Sequence, residues 1–357
     1  MSPRELPDIS PFSLGKAEKE RFLSASLMEL TRHHIDNCPP YRKMMESIGF
    51  DPRQDYPYTE LMFLPVQLFK RMEMISVPRE AIIRTLTSSG TSGQARSKIF
   101  LDKETAANQT RVLARILSSF IGTKRAPMII IDAESVLRDR NQLSASAAAI
   151  LGFSLFGSRR IFALNEQMEL NPEHLQSFVA EHPGERIILF GFTWKVYRYF
   201  VRALEKANIR MNLKESVLLH GGGWKKMEGE SISPETFRKK LEAVAGIRQV
   251  HDYYGMAEQT GTISMECEYG HYHLSVYSDI LIRRAHDFSL AGTGEEGIIQ
   301  TLSVLPRSYP GHSLLTEDKG ILLGEDDCKC GRLGKYFKIT GRLEQVEIRG
   351  CSDTYEE

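Results

Sequence analysis

Hydroxyl and glycine residues are concentrated in one short stretch of the sequence. Residues 86–93 read Leu-Thr-Ser-Ser-Gly-Thr-Ser-Gly, and Ser97 and Lys98 follow closely. Glycines at positions 90 and 93 allow positive φ angles and a close approach of the backbone, so that several N–H groups can converge on one anion. The hydroxyls add donors, and Lys98 adds a positive charge. This composition suits a phosphate, although a solvated Ser/Gly linker would have the same composition.

A run of three glycines follows an apolar stretch that predicts a strand at residues 217–219. His220 precedes Gly221, Gly222 and Gly223. A backbone without side chains can lie against a flat ring, so these glycines suit a nucleobase. A plain triple-glycine turn is the alternative.

A second predicted strand ends in Tyr253-Tyr254-Gly255-Met256-Ala257-Glu258. Here Tyr254 can stack on a base, Gly255 permits a turn, and the carboxylate of Glu258 can bind Mg²⁺. An ordinary strand end with an exposed glutamate is the alternative. Further along, Asp318 can accept hydrogen bonds from ribose hydroxyls and Arg342 can donate to them, although each charge alone would also fit a solvated surface.

The elements that must position these residues follow from hydrophobic periodicity. The spacing of apolar residues predicts a helix over Lys16–Asn37, which Cys38-Pro39-Pro40 ends. From residue 128, short apolar runs alternate with amphipathic helices, which implies a mainly parallel sheet covered on both faces. The predicted strands are 128–132, 161–164, 187–192 and 216–220, and the predicted helices are 142–151, 172–181, 194–207 and 234–244. Ligands of such sheets bind at the carboxyl ends of the strands. After residue 253 the composition indicates antiparallel strands.

Composition and charge exclude several classes of protein. The chain has 357 residues, of which 41% are hydrophobic and 26% are charged, an ordinary composition for a domain with a sizeable core. Lysine plus arginine equals aspartate plus glutamate at 46 each, so no overall field attracts nucleic acid or an anionic membrane. The least polar run, residues 144–157, is too short to span a bilayer, and no secretory signal is visible. Five cysteines without framework spacing fit reduced thiols, and we expect a cytoplasmic protein.

Taken in order, these motifs resemble those of the adenylate-forming superfamily of acyl-CoA synthetases and adenylation domains, over roughly residues 80–350. The compact length, the His-Gly-Gly-Gly-Trp-Lys stretch and Arg349-Gly350-Cys351-Ser352 are most similar to LuxE-type acyl-protein synthetases, with phenylacetate-CoA ligases next. The resemblance implies an α/β fold, the large domain of an adenylate-forming enzyme. It has sheets flanked by helices and a β-rich C-terminal part from about residue 260, and lacks most or all of the C-terminal lid domain. We therefore expect a helical and loop-rich part at 1–80, the core at 81–345, and a hinge remnant with a tail at 346–357.

The resemblance also implies a two-step ligase that uses ATP and Mg²⁺. A fatty acid or another carboxylic acid attacks the α-phosphorus of ATP, and a thiol then takes the acyl group from acyl-AMP. Such an enzyme passes its acyl group to an acyl reductase subunit or a carrier protein. By position, the residues that would hold the phosphates are Ser88, Ser89, Gly90, Thr91, Ser92, Gly93 and Lys98. The residues that would hold adenine are Gly221, Gly222, Gly223, Tyr254 and Gly255. Glu258 would bind Mg²⁺, and Asp318 and Arg342 would bind the ribose.

The expected catalytic residues are Cys351, Lys98 and His220. Cys351 lies on a tail that could bend back to the nucleotide, and its thiolate would be a good nucleophile toward an activated acyl group. An incidental thiol near the end of the chain is the alternative. Without the lid lysine of larger relatives, Lys98 or the lysines at 225 and 226 would have to substitute.

The acyl pocket is less defined by the sequence. The aromatic residues Phe192, Trp194 and Tyr197, together with His220, are the expected lining. Aromatic residues at these spacings also fit a hydrophobic core.

A separate group of cysteines and histidines suggests a metal. Cys267, Cys328 and Cys330 supply three soft ligands and a histidine supplies the fourth, enough for a structural tetrahedral Zn²⁺. A similar pattern in some phenylacetate-CoA-ligase-like proteins favours His273 over His271. Reduced cysteines packed near one another are the alternative.

Three functions therefore remain open. The first is an acyl-protein synthetase that loads Cys351. The second is a ligase of the same superfamily that delivers an aryl or acyl group to CoA or a carrier protein and leaves Cys351 idle. The third is a nucleotide-binding scaffold without turnover.

Overall fold

A computed structural model of the chain describes residues 6, 8–88, 96–138, 143–224 and 229–343. The helices are α1 (Lys16–Asn37), α2 (Pro39–Ser47), α3 (Leu68–Arg71), α4 (Lys103–Ile121), α5 (Ala145–Phe153), α6 (Pro172–Ala180), α7 (Thr193–Lys195), α8 (Arg202–Ala207) and α9 (Pro234–Ala245). The strands are β1 (Leu64–Pro65), β2 (Ile82–Thr87), β3 (Lys98–Asp102), β4 (Ala126–Ala133), β5 (Leu143–Ser144), β6 (Gly157–Leu164), β7 (Ile188–Phe192), β8 (Val217–Gly221), β9 (Gln249–Tyr254), β10 (Ser264–Glu266), β11 (Tyr272–His273), β12 (Ser278–Arg283), β13 (Glu296–Ser303), β14 (Ser313–Glu325) and β15 (Lys335–Arg342).

Polar caps fix the starts of the helices that flank the sheet. The side chains of Asp102, Asn171 and Ser233 accept hydrogen bonds from backbone N–H groups in the first turns of α4, α6 and α9. Such caps satisfy donors that have no partner within the helix. Pro172 and Pro234 follow two of these caps, at positions where a missing N–H costs nothing.

The predicted parallel sheet is confirmed. Its strands lie in the order β6, β4, β7, β8, β9, and all four neighbouring pairs are parallel. Each strand is joined to the next by a segment that contains at least one helix, as parallel pairing requires. The carboxyl ends of these strands therefore lie along one edge, where His220, Gly221 and Tyr254 are found.

The β-rich C-terminal part continues the same sheet. Among the described strands, twelve belong to it, in the order β12-β13-β14-β15-β11-β10-β9-β8-β7-β4-β6, with β1 attached to β14. The change to antiparallel pairing occurs between β9 and β10. A smaller sheet has the order β3-β2-β5.

Alternate residues of the parallel strands face two different layers. Ile130, Phe190 and Leu219 pack with residues of α4 and α5. Leu189 and Leu218 pack with residues of α6, α8 and α9 on the opposite face. Both faces are covered, which is why β4, β7 and β8 are apolar over most of their length.

One predicted helix has an unexpected geometry. The sequence predicts a single helix over 194–207, but the structure has α7, a π-helical segment Val196–Val201 and then α8. Asn208 ends this helix in the left-handed conformation, with φ of 54°. π-helical turns are rare and occur often at functional sites.

The N-terminal residues pack directly on the C-terminal strands. Buried Lys19 of α1 lies 3.6 Å from Asp279 of β12, and Lys335 of β15 lies 2.9 Å from the same carboxylate. Tyr58 donates a 2.7 Å hydrogen bond to Asp279 as well. The boundaries at residues 80 and 345 stay a prediction.

In the described part of the chain, every helix is too short or too polar to cross a bilayer.

Candidate active site

The hydroxyl/glycine loop joins β2 to β3, and its two ends are held together. The backbone N–H of Ser88 donates to the Ser97 carbonyl over 3.2 Å, and the Ser97 N–H donates to Ser88 Oγ over 3.0 Å. Residues 89–95, which include Ser89, Gly90, Thr91, Ser92 and Gly93, lie outside the described residues. Lys98 is exposed at the start of β3, and its charge helps to lower the pKa of Glu73.

The first of the three glycines at the end of β8 lies close to the backbone of β9. Gly221 is paired with Tyr253, and a Cβ atom at position 221 would lie 2.6 Å from the Tyr253 ring and 2.7 Å from its carbonyl oxygen. Gly222 and Gly223 then have φ angles of 78° and 59°. Position 221 therefore excludes any side chain, and the next two positions favour glycine.

Tyr254, Asp318 and Arg342 meet at the end of β9. The Tyr254 hydroxyl donates a 2.9 Å hydrogen bond to Asp318 Oδ2, and Arg342 Nε lies 3.5 Å from Asp318 Oδ1. Burial raises the pKa of Asp318, and the hydrogen bond from Tyr254 opposes this rise. Neighbouring Glu317 accepts hydrogen bonds from Arg342 and Gln67. A charged, partly buried corner results, with Arg342 still largely exposed.

Glu258 is a buried carboxylate close to the base of the loop. Burial raises the pKa of its side chain, and the Ser97 hydroxyl and the charge of Lys70 oppose the rise. Ser97 Oγ itself is fully buried and has no hydrogen bond of ordinary geometry among the described residues. The Glu258 carbonyl accepts a 2.8 Å hydrogen bond from the Tyr309 hydroxyl, which holds the segment in place. A buried carboxylate beside an unpaired hydroxyl fits an oxygen-ligated cation.

His220 is buried at the end of β8 and is neutral. Burial lowers its pKa to about 4. The Thr193 hydroxyl donates its only proton to the Gly221 carbonyl over 3.1 Å. Thr193 Oγ1 also lies 2.9 Å from His220 Nδ1, and it can only accept in this second hydrogen bond. His220 Nδ1 therefore carries the proton. The other nitrogen, Nε2, is therefore unprotonated. Asp252 Oδ1 lies 3.5 Å from Nδ1.

The other expected acyl-pocket residues do not form one group: Phe192 packs against Phe190 at 5.9 Å, and Tyr197 lies in an aromatic group with Trp224 and Phe237. Tyr197 is buried, and its ring lies 5.2 Å from that of Trp224, which lies 6.3 Å from that of Phe237. Trp194 is instead next to Tyr199, at 5.9 Å. The sequence could have indicated Trp224, because this residue directly follows the three glycines.

Two carboxylates at the carboxyl edge of the sheet, buried Asp132 and half-buried Asp252, were also missed. Asp132, at the end of β4, is 2.6 Å from Lys195 through both of its oxygens. Asp252 accepts a 2.8 Å hydrogen bond from Tyr272, and burial raises its pKa to about 7. Single aspartates at strand ends carry no spacing signal, so only the pairing of distant segments reveals them.

The cysteines and the histidine predicted to bind zinc converge. One ligand atom from each of Cys267, His273, Cys328 and Cys330 lies within 4.8 Å of the other three. A tetrahedral Zn²⁺ with sulfur ligands requires separations of about 3.7 Å, so small shifts would complete the geometry. His273 Nε2 lies 3.2 Å from Cys330 Sγ, while His271 contacts Cys328 from outside this group. Cys351 lies outside the described residues.

Comparisons with known proteins indicate the family and the fold of this chain. The family model "Acyl-protein synthetase, LuxE" matches residues 5–357. A long-chain-fatty-acid–luciferin-component ligase of Vibrio harveyi is 20% identical, over 96% of this chain and 89% of that protein. An open conformation of 2-hydroxyisobutyryl-CoA ligase, solved with its acyl-AMP and CoA, has a TM-score of 0.73 at 16% identity and covers 98% of this chain and 83% of that one.

A second solved structure extends the likeness in fold. ATP-bound MatB of Rhodopseudomonas palustris has a TM-score of 0.50 at 14% identity, over 75% of this chain and 49% of that one. At these identities the solved structures establish the fold, and the family model establishes the kinship. The chain is a ligase with the fold of adenylate-forming enzymes, and it belongs to the LuxE family of acyl-protein synthetases.

Proposed function

We propose that this ligase activates a fatty acid with ATP as acyl-AMP and transfers the acyl group to its own Cys351, from which an acyl reductase takes it. The convergence of Tyr254, Asp318 and Arg342 beside Glu258 is the observation that supports the nucleotide site. The fatty acid is suggested by the name of the Vibrio harveyi ligase, and ATP by the ligand of MatB.

Each part of ATP has a matching group in this arrangement. Adenine would lie against Gly221, Gly222 and Gly223 with Tyr254, where Gly255 lets the chain turn. Asp318 and Arg342 would bind the ribose hydroxyls as acceptor and donor. The phosphates would lie on the loop that begins at Ser88 and returns at Ser97, within reach of Lys98.

A magnesium ion fits the residues next to this loop. The Glu258 carboxylate forms no ion pair among the described residues, and the Ser97 hydroxyl beside it forms no hydrogen bond of ordinary geometry there. These oxygens would hold Mg²⁺ directly or through water. When bound, the ion would reduce the negative charge of the phosphates.

The first step needs positioning more than it needs a base. A carboxylate oxygen of the fatty acid forms a bond to the α-phosphorus, the bond from that phosphorus to the bridging oxygen breaks, and pyrophosphate leaves with the electron pair. Because the attacking group is already an anion, no proton has to move. The protein therefore has to hold the two reactants in line and stabilise the charge.

The second step uses a thiol. The Cys351 sulfur forms a bond to the acyl carbon, AMP leaves with the electron pair, and the thiol proton is released. Unprotonated Nε2 of His220 would accept a hydrogen bond from that thiol. With a pKa of about 4, the ring would orient the thiol rather than store its proton.

Incubation of the protein with ATP and radiolabelled tetradecanoate, followed by denaturing electrophoresis, tests this function. Label on the wild-type chain that Cys351→Ser loses supports acyl transfer to Cys351. Label that remains on Cys351→Ser contradicts it. Cys38→Ser is the matched control, because Cys38 is buried in the core, away from the cysteine cluster.

A ligase that delivers the acyl group to CoA is the second candidate. It is favoured by the likeness to 2-hydroxyisobutyryl-CoA ligase, which was solved with CoA. In the same experiment with CoA present, label on CoA alone would select it. Release of pyrophosphate that depends on a carboxylic acid and is abolished in Glu258→Ala would exclude a scaffold without turnover.

We also propose that Cys267, His273, Cys328 and Cys330 bind a structural Zn²⁺. Their mutual distances of at most 4.8 Å support this proposal. The ion would tie the turn after β10 to the loop between β14 and β15.

A further inference from the structure

The segment that joins β1 to α3 lies against the nucleotide corner. Leu64 and Pro65 pair with Leu314 and Leu315 of β14, and the N–H of Val66 donates to the Leu315 carbonyl over 3.0 Å. The next residue, Gln67, donates to the Glu317 carboxylate. This segment thus reaches the residue that precedes Asp318.

A buried aromatic contact fixes α3 beside Glu258. Phe69 is 2% exposed, and its ring lies 6.1 Å from that of Tyr309, which is fully buried. The Tyr309 hydroxyl donates to the Glu258 carbonyl over 2.8 Å. Phe69, Tyr309 and Glu258 therefore form a continuous packed connection between α3 and the candidate Mg²⁺ ligand.

Lys70 follows Phe69 and is one turn from Gln67, so it lies on the face of α3 that meets the site. Its side chain is half-buried, and no hydrogen bond or ion pair to it is formed among the described residues. Burial raises the pKa of the nearby Glu258 carboxyl, and the positive charge of Lys70 partly opposes this rise. A half-buried lysine that forms no ion pair among the described residues suits an anionic ligand.

Other lysines near the site lack this combination. Lys98 is exposed, and the ammonium group of Lys195 is paired with both oxygens of Asp132. Of these three lysines, Lys70 alone is both half-buried at the site and unpaired within the described residues.

We propose that Lys70 binds the phosphates of ATP at this site and stabilises the negative charge of the transition state. This inference rests on the proposed function. As the carboxylate oxygen bonds to the α-phosphorus and the bond to the bridging oxygen breaks, charge accumulates on the departing pyrophosphate. An ammonium group placed there interacts more strongly with the transition state than with bound ATP, so it lowers the barrier.

The test compares three variants of the full chain in carboxylate-dependent exchange of pyrophosphate into ATP. Lys70→Met removes the charge and keeps the length of the side chain. Lys70→Arg keeps the charge. Arg71→Met, on the neighbouring exposed residue of the same helix, is the matched control. We expect kcat to fall about 10²-fold in Lys70→Met, within the range for the loss of one electrostatic contact to a transition state.

The same assay separates a charge effect from a structural effect. Lys70→Arg should recover most of the lost rate, and Arg71→Met should stay within about twofold of wild type, because its side chain is outside the site. The unfolding temperature of Lys70→Met should stay within about 3 °C of wild type, since the Lys70 side chain forms no hydrogen bond or ion pair among the described residues.

Three results would overturn the role of Lys70. They are exchange by Lys70→Met within about threefold of wild type, an equal loss in Lys70→Arg, or a drop in the unfolding temperature of Lys70→Met of more than about 5 °C. Failure of the proposed function gives a different result, because the wild-type chain would then show no carboxylate-dependent exchange at all.

Discussion

The hydroxyl of Tyr254 donates a 2.9 Å hydrogen bond to Oδ2 of Asp318, which lies 64 residues further along the chain. Arg342 approaches the other oxygen of the same carboxylate. Asp318 is therefore oriented from both sides before any ligand binds. Because the carboxylate is already ordered, its own side chain would lose less entropy when a ribose binds.

Removal of this hydroxyl tests how much the orientation matters. We expect Tyr254→Phe to raise the KM for ATP about tenfold and to lower the free energy of unfolding by about 1 kcal/mol, the usual contribution of one hydrogen bond. Exchange kinetics and urea unfolding measure the two quantities. Tyr269→Phe is the control, because Tyr269 is 51% exposed. An unchanged KM would show that the bond does not shape the nucleotide site.

Close packing at Gly221 gives a second prediction. In Gly221→Ala the new Cβ would lie 2.7 Å from the Tyr253 carbonyl oxygen, which is backbone and cannot turn away. We expect β8 and β9 to separate locally, with a loss of about 1–3 kcal/mol in the free energy of unfolding and of most nucleotide binding. Urea unfolding and titration with a fluorescent ATP analogue report both effects.

Gly229→Ala is the matched control, because no atom lies within 4 Å of a Cβ at that position. It should bind the analogue as wild type does. Equal behaviour of the two variants would contradict the close-packing argument.

Much of the fold could be predicted because its signals are local. The strands that became β4, β7 and β8 were predicted from apolar runs of a few residues, and the end of α1 from Cys38 and the prolines after it. The continuity of parallel and antiparallel strands in one sheet could not be predicted. It depends on the pairing of β9 with β10, and no local pattern specifies that neighbour.

In the candidate site, too, residues in local motifs could be predicted and residues brought in by long-range contacts could not. Gly221 and Tyr254 lie in motifs of distinctive composition, so the sequence singled them out. Lys70 and Gln67 lie in a loop-rich segment without such a motif, and only the pairing of β1 with β14 brings them to Glu317. Residues whose role depends on a long-range contact cannot be found from local spacing.

Zinc binding gives a third prediction. The purified protein should contain about one equivalent of Zn²⁺, and Cys328→Ser should lose it, because three remaining ligands hold the ion much less tightly. Metal analysis and the absorption spectrum of the Co²⁺-substituted protein measure this loss. A chelator should lower the unfolding temperature of wild type and leave that of Cys328→Ser unchanged. Metal-free wild-type protein with an unaltered unfolding temperature would favour packed, reduced cysteines.

A buried pair of histidines gives the last prediction, which concerns pH. The rings of His34 and His312 are stacked 4.9 Å apart in the core. The Thr31 hydroxyl donates its only proton to the Leu27 carbonyl. His312 Nε2, which lies 2.9 Å from that hydroxyl, must therefore be the donor of their hydrogen bond. Nδ1 of the neutral His312 ring is then unprotonated. Nδ1 has no partner among the described residues. A proton added there would be buried without a counter-charge.

Burial lowers the pKa of His312 to about 3 and that of His34 well below its usual value, and nearby His33 adds to both effects. Between the unfolded value of 6.5 and these folded values, the unfolded chain binds protons that the folded chain does not. The contribution of each histidine to stability is therefore fully present above pH 6.5 and is lost as the pH falls, by up to about 1.4 kcal/mol per pH unit.

Carboxyls with a raised pKa, such as half-buried Asp252, act in the opposite direction, so the test compares variants rather than the wild type alone. We compare the change in the free energy of unfolding in urea between pH 6.5 and pH 5.5. The decrease should be about 1 kcal/mol smaller in His312→Gln than in wild type. His286→Gln, which changes an exposed ring, should follow wild type at both pH values. If His312→Gln also follows wild type, His312 does not stay neutral in the fold. The stacked pair would then have to accept a proton in the core, through a rearrangement that brings a counter-charge or water to Nδ1.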